Sequence, residues 1–317
     1  MDAPMIRTRG LTKHFGDVVA LEALDLEVQQ GEVFGFLGPN GAGKSTTIRL
    51  LLGLIRPKAG QAWIGGVPVG DVANAHRSVS YVPGDVSLWP QLTGAETLEL
   101  LGNVAGGVDR EFRDELVQRF DLDVSKRARA YSKGNRQKVA LVAAFMTRPE
   151  VLLLDEPTAG LDPLMEAEFQ ALAREASGQG QTVFLSSHIL DEVEDLCGRV
   201  AILRSGHLVE VAVLEALRDV TTTVLEATLD GPVPDLADVA GVVGVEPMHS
   251  GVRVTVTGRP DAALERLLSA GIVRLQSRAP TLEQVFMTYY DLSPEQRDAV
   301  AAAHGVGPTH LESRPDT

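Results

Sequence analysis

The sequence is poor in several features that mark particular classes of protein. It has one cysteine, Cys197, among 317 residues, so no intrachain disulfide can form and a reducing compartment is expected. No apolar stretch reaches the about 18 to 20 residues that a membrane-spanning helix needs, and the first residues lack the apolar core of a secretory signal. We therefore expect a chain that neither spans a membrane nor is exported by that route.

An excess of basic residues is also missing. The chain has 29 Lys and Arg against 43 Asp and Glu, a net charge of −14. Proteins that bind the nucleic-acid backbone stably usually present a basic face. The composition therefore predicts no nucleic-acid partner.

The length predicts about two domains. In residues 1–216 short apolar strands alternate with helical segments, a pattern typical of an α/β fold with a parallel sheet. The first predicted strands are Ile6–Phe15, Val18–Val28 and Glu32–Leu37, and helical spacing predicts a helical insertion at about 88–149.

After about residue 216 the sequence becomes richer in strand-like segments. We interpret residues 217–291 as a small α+β module with the order β-α-β-β-α-β, which suggests a ferredoxin-like arrangement. Its first predicted helix is Pro234–Val239, and Thr281–Tyr290 is predicted to close it. Residues 292–317 have little periodicity and are interpreted as a flexible tail.

A glycine-rich segment follows the third strand. The run GPNGAGKST fits the phosphate-binding pattern G-x-x-x-x-G-K-[ST], in which bare backbone N–H groups and a helix N-terminus hold phosphate oxygens. Lys44 adds a positive charge for the β- and γ-phosphates, and Ser45 offers a hydroxyl to Mg²⁺. The predicted nucleotide-binding residues are Gly38, Pro39, Asn40, Gly41, Ala42, Gly43, Lys44, Ser45 and Thr46.

A second candidate segment is VLLLDE at 151–156, a predicted buried strand followed by acidic residues. Ligands of open α/β sheets bind at the carboxyl ends of the strands. Asp155 there suits a Mg²⁺ ligand acting through water. Glu156, one residue on, points another way and suits a base that polarises the water attacking the γ-phosphate.

Three further stretches separate the classes of protein that share these two features. They are YSKGNRQK at 131–138, AGLD after the acidic strand, and SSH ending at His188. Together with LDEPTAGLDP they resemble the ATP-binding cassette (ABC) ATPases over residues 5–216. The resemblance implies a P-loop NTPase cassette that hydrolyses ATP with Mg²⁺.

The same resemblance implies roles for five more residues. Phe15 matches the aromatic residue that stacks on adenine. Ser132 and Gly134 match the signature motif, which caps the γ-phosphate bound by the opposite subunit. Asp162 matches the loop that crosses the dimer interface, and His188 matches the histidine that contacts the γ-phosphate.

The sequence departs from the family pattern in two places. The strand that normally ends in a Gln ligand for Mg²⁺ and water ends here at Gly84, so Asp85 or a water would have to take that place. The common LSGGQ signature is YSKGN, with Lys133 and Asn135 replacing Gly and Gln.

The resemblance also implies partners. Because a cassette completes its site by pairing head to tail, a second ATPase subunit is expected, and transport then requires separate membrane-spanning permease subunits. VSLWPQLTGAETLEL, the module after 216 and PTLEQVF resemble bacterial exporters of drugs and antibiotics, which places the chain at the cytoplasmic face of the membrane. Trp89 is a candidate for the surface that meets the permease.

Two alternatives remain open at this point. Gly84 and the altered signature are compatible with a nucleotide-binding regulatory cassette of low turnover, and importer ATPases share the same core. A soluble cassette acting on ribosomes or DNA is disfavoured, because such chains carry tandem cassettes or long coiled-coil insertions.

Overall fold

The computed structural model describes residues 3–188, 193–194, 196–214, 222–236 and 238–278. They form two compact units, divided between Ala212 and Val213. Within these described ranges no helix is both long and apolar enough to cross a membrane.

The first unit contains ten strands and six helices among its described residues. The strands are β1 (Ile6–Phe15), β2 (Val18–Val28), β3 (Val33–Leu37), β4 (Ala59–Ile64), β5 (Val67–Pro68), β6 (Val79–Val82), β7 (Val151–Asp155), β8 (Thr182–Ser187), β9 (Arg199–Arg204) and β10 (His207–Val213). The helices are α1 (Lys44–Leu51), α2 (Val72–Ala75), α3 (Gly94–Val104), α4 (Arg110–Arg119), α5 (Lys133–Phe145) and α6 (Pro163–Gly178).

Two sheets build this unit. One is antiparallel with the order β2-β1-β4-β5, and the other has the order β10-β9-β3-β8-β7-β6. From β9 through β6 all neighbours in the second sheet are parallel. The carboxyl ends of β3, β7 and β8 therefore meet at one edge, where the predicted site residues follow each strand. This confirms the predicted α/β cassette with its helical insertion.

The core of the first unit lies where the two sheets face α1. Residues of β3 and β7 are buried along their whole length, as expected for strands of a parallel sheet covered on both faces. Phe34 stacks on Phe184 with ring centroids 5.9 Å apart, and Phe36 packs against the same ring at 5.2 Å. These aromatic contacts lock β3 to β8 directly beneath the site.

The second unit is a four-stranded antiparallel sheet with one described helix. Its strands are β11 (Thr222–Leu229), β12 (Val242–Met248), β13 (Gly251–Thr257) and β14 (Ile272–Arg278), in the order β12-β13-β11-β14, and its helix is α7 (Asp261–Ser269). Ala263 and Leu267 of α7 are fully buried against the sheet. The ferredoxin-like assignment of this module stays a prediction.

The helix predicted at Pro234–Val239 is not found in the described part of that segment, which leaves out residue 237. Residues 232–236 are irregular and Asp238 lies in a turn. A helix of six residues makes few internal hydrogen bonds and is marginal by itself, and here Leu236 and Val239 pack into the core of this unit without one. The predicted helix Thr281–Tyr290, the PTLEQVF segment and the tail 292–317 lie outside the described residues.

Candidate functional site

The loop between β3 and α1 requires its glycines. Gly41 and Gly43 have φ angles of 82° and 112°, in the left-handed region that favours glycine. A Cβ on Gly38 would overlap the carbonyl oxygen of Leu203, and one on Gly43 would overlap that of Ala20. The predicted segment Gly38–Thr46 therefore consists of a tight loop with glycines at its close contacts, followed directly by the first turn of α1.

Lys44 points back into this loop. Its side chain is 5% exposed, and its Nζ donates to the carbonyl oxygens of Gly38 at 2.6 Å and Pro39 at 3.3 Å. Burial lowers the pKa of Lys44, while the charges of Glu156 and Asp155 oppose that shift. An ammonium group is thus held at the centre of the loop, where an anionic ligand would meet it.

Glu156 and His188 converge on the same lysine. Oε1 of Glu156 lies 3.8 Å from Nζ of Lys44 and 3.1 Å from Nδ1 of His188. Glu156 itself has a φ of 50°, which turns its side chain away from the alternation of the preceding strand. The structure brings together three of the residues that the sequence singles out: the loop lysine, the proposed base and the histidine.

Asp155 ends β7 as a buried carboxylate, 5% exposed. Ser186 donates a hydrogen bond of 2.6 Å to its Oδ1, and Oδ2 has no hydrogen-bond partner among the described residues. A buried carboxylate is costly unless it is hydrogen-bonded or faces a cation. Burial raises the pKa of Tyr81, and the negative charge of Asp155 adds to that shift.

A divalent cation fits this arrangement only together with a ligand. Where the structure describes the chain, no three His, Cys, Asp or Glu side chains form a metal cluster. Oδ2 of Asp155 and the hydroxyl of Ser45 carry no described hydrogen bond, and Mg²⁺ commonly takes one or two protein oxygens together with phosphate oxygens. The donor set therefore matches a cation that arrives with a nucleotide.

Gly84 lies against the aspartate. A Cβ placed on it would be 3.3 Å from the carbonyl oxygen of Asp155 and 3.7 Å from its Oδ2. The Gln side chain that the resemblance leads one to expect at this position would therefore run beside the carboxylate of Asp155. Asp85 is exposed and has no hydrogen bond to the described residues.

The signature residues form a second group at the start of α5. Ser132 caps the helix, its Oγ accepting from the amide of Asn135 at 3.2 Å. A Cβ on Gly134 would overlap the carbonyl oxygen of Gly160, so α5 packs directly on the loop that follows Glu156. Asp162 ends that loop and caps α6, its Oδ1 accepting from the amides of Leu164 and Met165 at 3.1 Å.

Two predicted residues lie at the surface. Phe15 ends β1 with half its area exposed, and the ammonium of Lys13 lies 5.0 Å from its ring. A half-exposed aromatic ring at a strand end is available for stacking. Trp89 is 51% exposed in the segment before α3.

Sequence reasoning missed three residues that build the site. Ser186 bonds Asp155, buried Gln137 donates from Nε2 to the carbonyl of Pro157 at 2.9 Å, and the hydroxyl of buried Tyr131 donates to the carbonyl of Asp123 at 2.7 Å. A polar residue within an apolar run, such as Ser186 in TVFLSS, was the available signal. Its partner follows only from the order of strands in the sheet.

Comparisons with known proteins agree with this geometry. Residues 21–159 match the ABC transporter family. An uncharacterised ABC transporter ATP-binding protein of Nostoc sp. is 43% identical over 61% of this chain, which spans 59% of that protein's length. A daunorubicin resistance ATP-binding protein of Streptomyces coeruleorubidus is 36% identical over 89% of this chain and 94% of its own length.

Two more similarities extend these matches. A linearmycin resistance ATP-binding protein of Bacillus subtilis is 28% identical over 89% of this chain and 97% of its own length. A solved ATP-binding subunit of an ABC transporter superposes with a TM-score of 0.63 at 32% identity, over 68% of this chain and 92% of the other. The chain belongs to the ABC transporter family, as one of its ATP-binding ATPase subunits.

Proposed function

We propose that this chain binds and hydrolyses ATP in order to drive export through separate membrane-spanning subunits. The observation that carries the proposal is the convergence of Lys44, Glu156 and His188 beside the glycine loop, within 3.8 Å and 3.1 Å. Backbone amides and an ammonium group that hold phosphates, together with a carboxylate that orients water, are groups that assist transfer of a phosphoryl group to water, and the imidazole of His188 lies beside them.

Each residue has a distinct part in this reaction. The loop amides, the N-terminus of α1 and Lys44 hold the phosphates. Glu156 accepts a proton from the attacking water, and His188, already bonded to Glu156, contacts the γ-phosphate. Asp155 and Ser45 would hold Mg²⁺, which neutralises phosphate charge when it is bound.

A second copy completes the site in this proposal. Ser132 and Gly134 lie at the N-terminus of α5, where a helix presents free N–H groups and positive potential. A γ-phosphate bound to another copy's glycine loop suits this position. Asp162 then lies at the contact between the two copies, and Phe15 stacks on the adenine.

The transported cargo is inferred from the relatives. Two proteins that match about nine-tenths of this chain are named for resistance to daunorubicin and to linearmycin. We infer a drug- or antibiotic-exporting complex, with this chain bound peripherally at the cytoplasmic face of the membrane and exposed Trp89 near the permease.

Hydrolysis is tested by phosphate release from Mg²⁺-ATP, comparing the wild type with Glu156→Gln. We expect the variant to bind ATP normally, to lose about 100-fold or more in turnover because the base is gone, and to accumulate as a dimer. Glu150→Gln removes an exposed carboxylate just before β7 and is the matched control. Near-normal turnover of Glu156→Gln would show that Glu156 is not the catalytic base.

A wild type that binds ATP with negligible turnover, even with its permease, would instead support the regulatory cassette. Export is tested in cells that express the chain with the membrane protein encoded beside it. Fluorescent daunorubicin should accumulate less in these cells than in cells carrying Glu156→Gln. Equal accumulation would argue against an exporter of this class of drug.

A further inference from the structure

The hydroxyl of Ser186 lies between the two acidic residues of the site. Ser186 is fully buried in β8 and pairs with Asp155 in the parallel ladder of β7 and β8. Paired residues of neighbouring strands project from the same face of a sheet. Oγ of Ser186 therefore reaches the carboxylate, to which it donates a hydrogen bond of 2.6 Å.

Ser186 also holds the backbone of Glu156. The amide of Glu156 donates to the carbonyl oxygen of Ser186 at 3.1 Å and to its Oγ at 3.2 Å. Glu156 has a φ of 50°, a conformation that residues other than glycine keep only where the surrounding structure enforces it. One residue of β8 thus fixes a side chain and a neighbouring backbone at the end of β7.

The hydrogen bond also decides which carboxylate oxygen of Asp155 remains available. Oδ1 is occupied by the hydroxyl of Ser186, whereas Oδ2 has no hydrogen-bond partner in the described part of the chain. Without the hydroxyl, the buried carboxylate would keep no described hydrogen bond. It would then be free to rotate and would lose its fixed direction toward an incoming cation.

We propose that Ser186 is a positioning residue for hydrolysis. Its hydroxyl orients Asp155 toward the cation that accompanies ATP, and the same residue holds Glu156 so that the carboxylate meets Lys44 and His188. This inference rests on the proposed ATPase function. Groups that orient a metal-binding carboxylate typically contribute about 10- to 100-fold in metal affinity or activity.

Thr182 provides a matched control on the same strand. It is also fully buried, and its Oγ1 accepts a hydrogen bond from the amide of Gly31 at 3.1 Å. It begins β8, at the opposite end from the site. Ser186→Ala and Thr182→Val each remove one buried hydroxyl from β8. A difference between the two variants therefore comes from where the hydroxyl lies and not from the loss of a buried hydroxyl as such.

The experiment measures ATP binding as a function of Mg²⁺ concentration in the full-length chain. A Glu156→Gln background prevents hydrolysis during the titration. With Ser186→Ala we expect the Mg²⁺ concentration for half-maximal effect to rise about tenfold, while ATP binding in EDTA stays unchanged. Thr182→Val should leave both quantities at their reference values, and thermal unfolding checks that both variants fold.

Turnover gives the second readout, with Glu156 intact. Ser186→Ala should lower kcat about tenfold or more and raise the Mg²⁺ requirement, whereas Ser186→Thr, which keeps the hydroxyl, should recover most of the Mg²⁺ affinity. Equal Mg²⁺ titrations for Ser186→Ala and Thr182→Val would overturn the role of Ser186. A wild type with no Mg²⁺-dependent turnover would instead overturn the proposed function.

Discussion

At the scale of single residues, one strained backbone position coincides with the proposed chemistry. Five residues other than glycine have positive φ angles among those described, and Glu156 is one of them. A left-handed conformation costs such residues about 1 to 2 kcal/mol, so the carboxylate is positioned at the expense of stability.

Replacing Glu156 by glycine or by alanine separates this strain from the carboxylate. Glycine tolerates the left-handed region but loses about 0.5 to 1 kcal/mol more conformational entropy on folding. Glu156→Gly should therefore be more stable than Glu156→Ala by about 0.5 to 1 kcal/mol, measured by denaturant unfolding. At exposed Glu150, where φ is not positive, the order should reverse. The same order at both positions would show that Glu156 carries no backbone strain.

The sequence predicts local features well and long-range pairing poorly. The function of residues 38–46 can be predicted from their own spacing, because the conformational freedom of the glycines and the charge of one lysine act within a single short segment. Ser186 and Asp155 are 31 residues apart, and their contact depends on β8 lying beside β7. Nothing local in the sequence sets that neighbour, so the predicted site contained Asp155 without the residue that orients it.

At the scale of helices, Tyr131 anchors the start of α5. Its hydroxyl donates to the carbonyl of Asp123 at 2.7 Å, and a Cβ on Gly94, the first residue of α3, would overlap that hydroxyl. Tyr131 thereby connects α3 to the position of Ser132. Tyr131, which stands where the common LSGGQ signature has leucine, thus fixes the start of α5 through its hydrogen bond.

A double-mutant cycle tests this contact. Tyr131→Phe should cost about 1 to 2 kcal/mol, because a partner of the Asp123 carbonyl is lost. Gly94→Ala should cost more, since its methyl group meets the hydroxyl. Combined, the two changes should cost less than their sum by at least about 0.5 kcal/mol, measured by urea unfolding. Strict additivity would show that the hydroxyl and Gly94 do not meet.

Arg119 joins α4 of the insertion to α6. Its guanidinium bonds both oxygens of Glu175, at 2.7 and 2.9 Å, and also contacts Glu168. The hydrogen bonds from Arg119 lower the pKa of Glu175 below its ordinary value of 4.5. The contribution is therefore present above about pH 4.5 and is lost as the pH falls through the lowered pKa.

We expect Arg119→Gln to lower stability by about 1 kcal/mol at pH 7, because the pair is partly exposed. The difference from wild type should shrink below about pH 4.5. Arg113 is equally buried but bonds Asp114 of its own helix, so Arg113→Gln is the control and should cost less. Chemical unfolding at several pH values measures both. A pH-independent difference would assign the effect to packing.

At the scale of the whole molecule, Cys197 reports the opening of the first unit. The thiol is buried, and burial raises its pKa, with the charge of Glu32 adding to the shift. Since the thiolate is the reactive form, alkylation at pH 8 should require unfolding. ATP at 100 times its Kd should stabilise the folded chain by about 2.7 kcal/mol.

Saturating ATP should therefore slow the labelling of Cys197 about 100-fold. Mass spectrometry measures the rate of labelling. Lys44→Ala, which weakens nucleotide binding, should abolish this protection at the same ATP concentration. Fast labelling of the native chain, or equal protection of Lys44→Ala, would contradict a buried thiol or a nucleotide bound at this loop.

The strand order has a consequence during synthesis of the protein. Among the strands of the six-stranded sheet, β3 emerges from the ribosome first, yet its two neighbours, β8 and β9, begin about 150 and 166 residues later. At about 5 to 20 residues per second, the glycine loop waits roughly 10 to 30 seconds for the strands that support it. A nascent chain that ends before residue 186 lacks Ser186, His188 and the Leu203 carbonyl that closes on Gly38. ATP therefore cannot assist the folding of this unit until nearly all of it has been made.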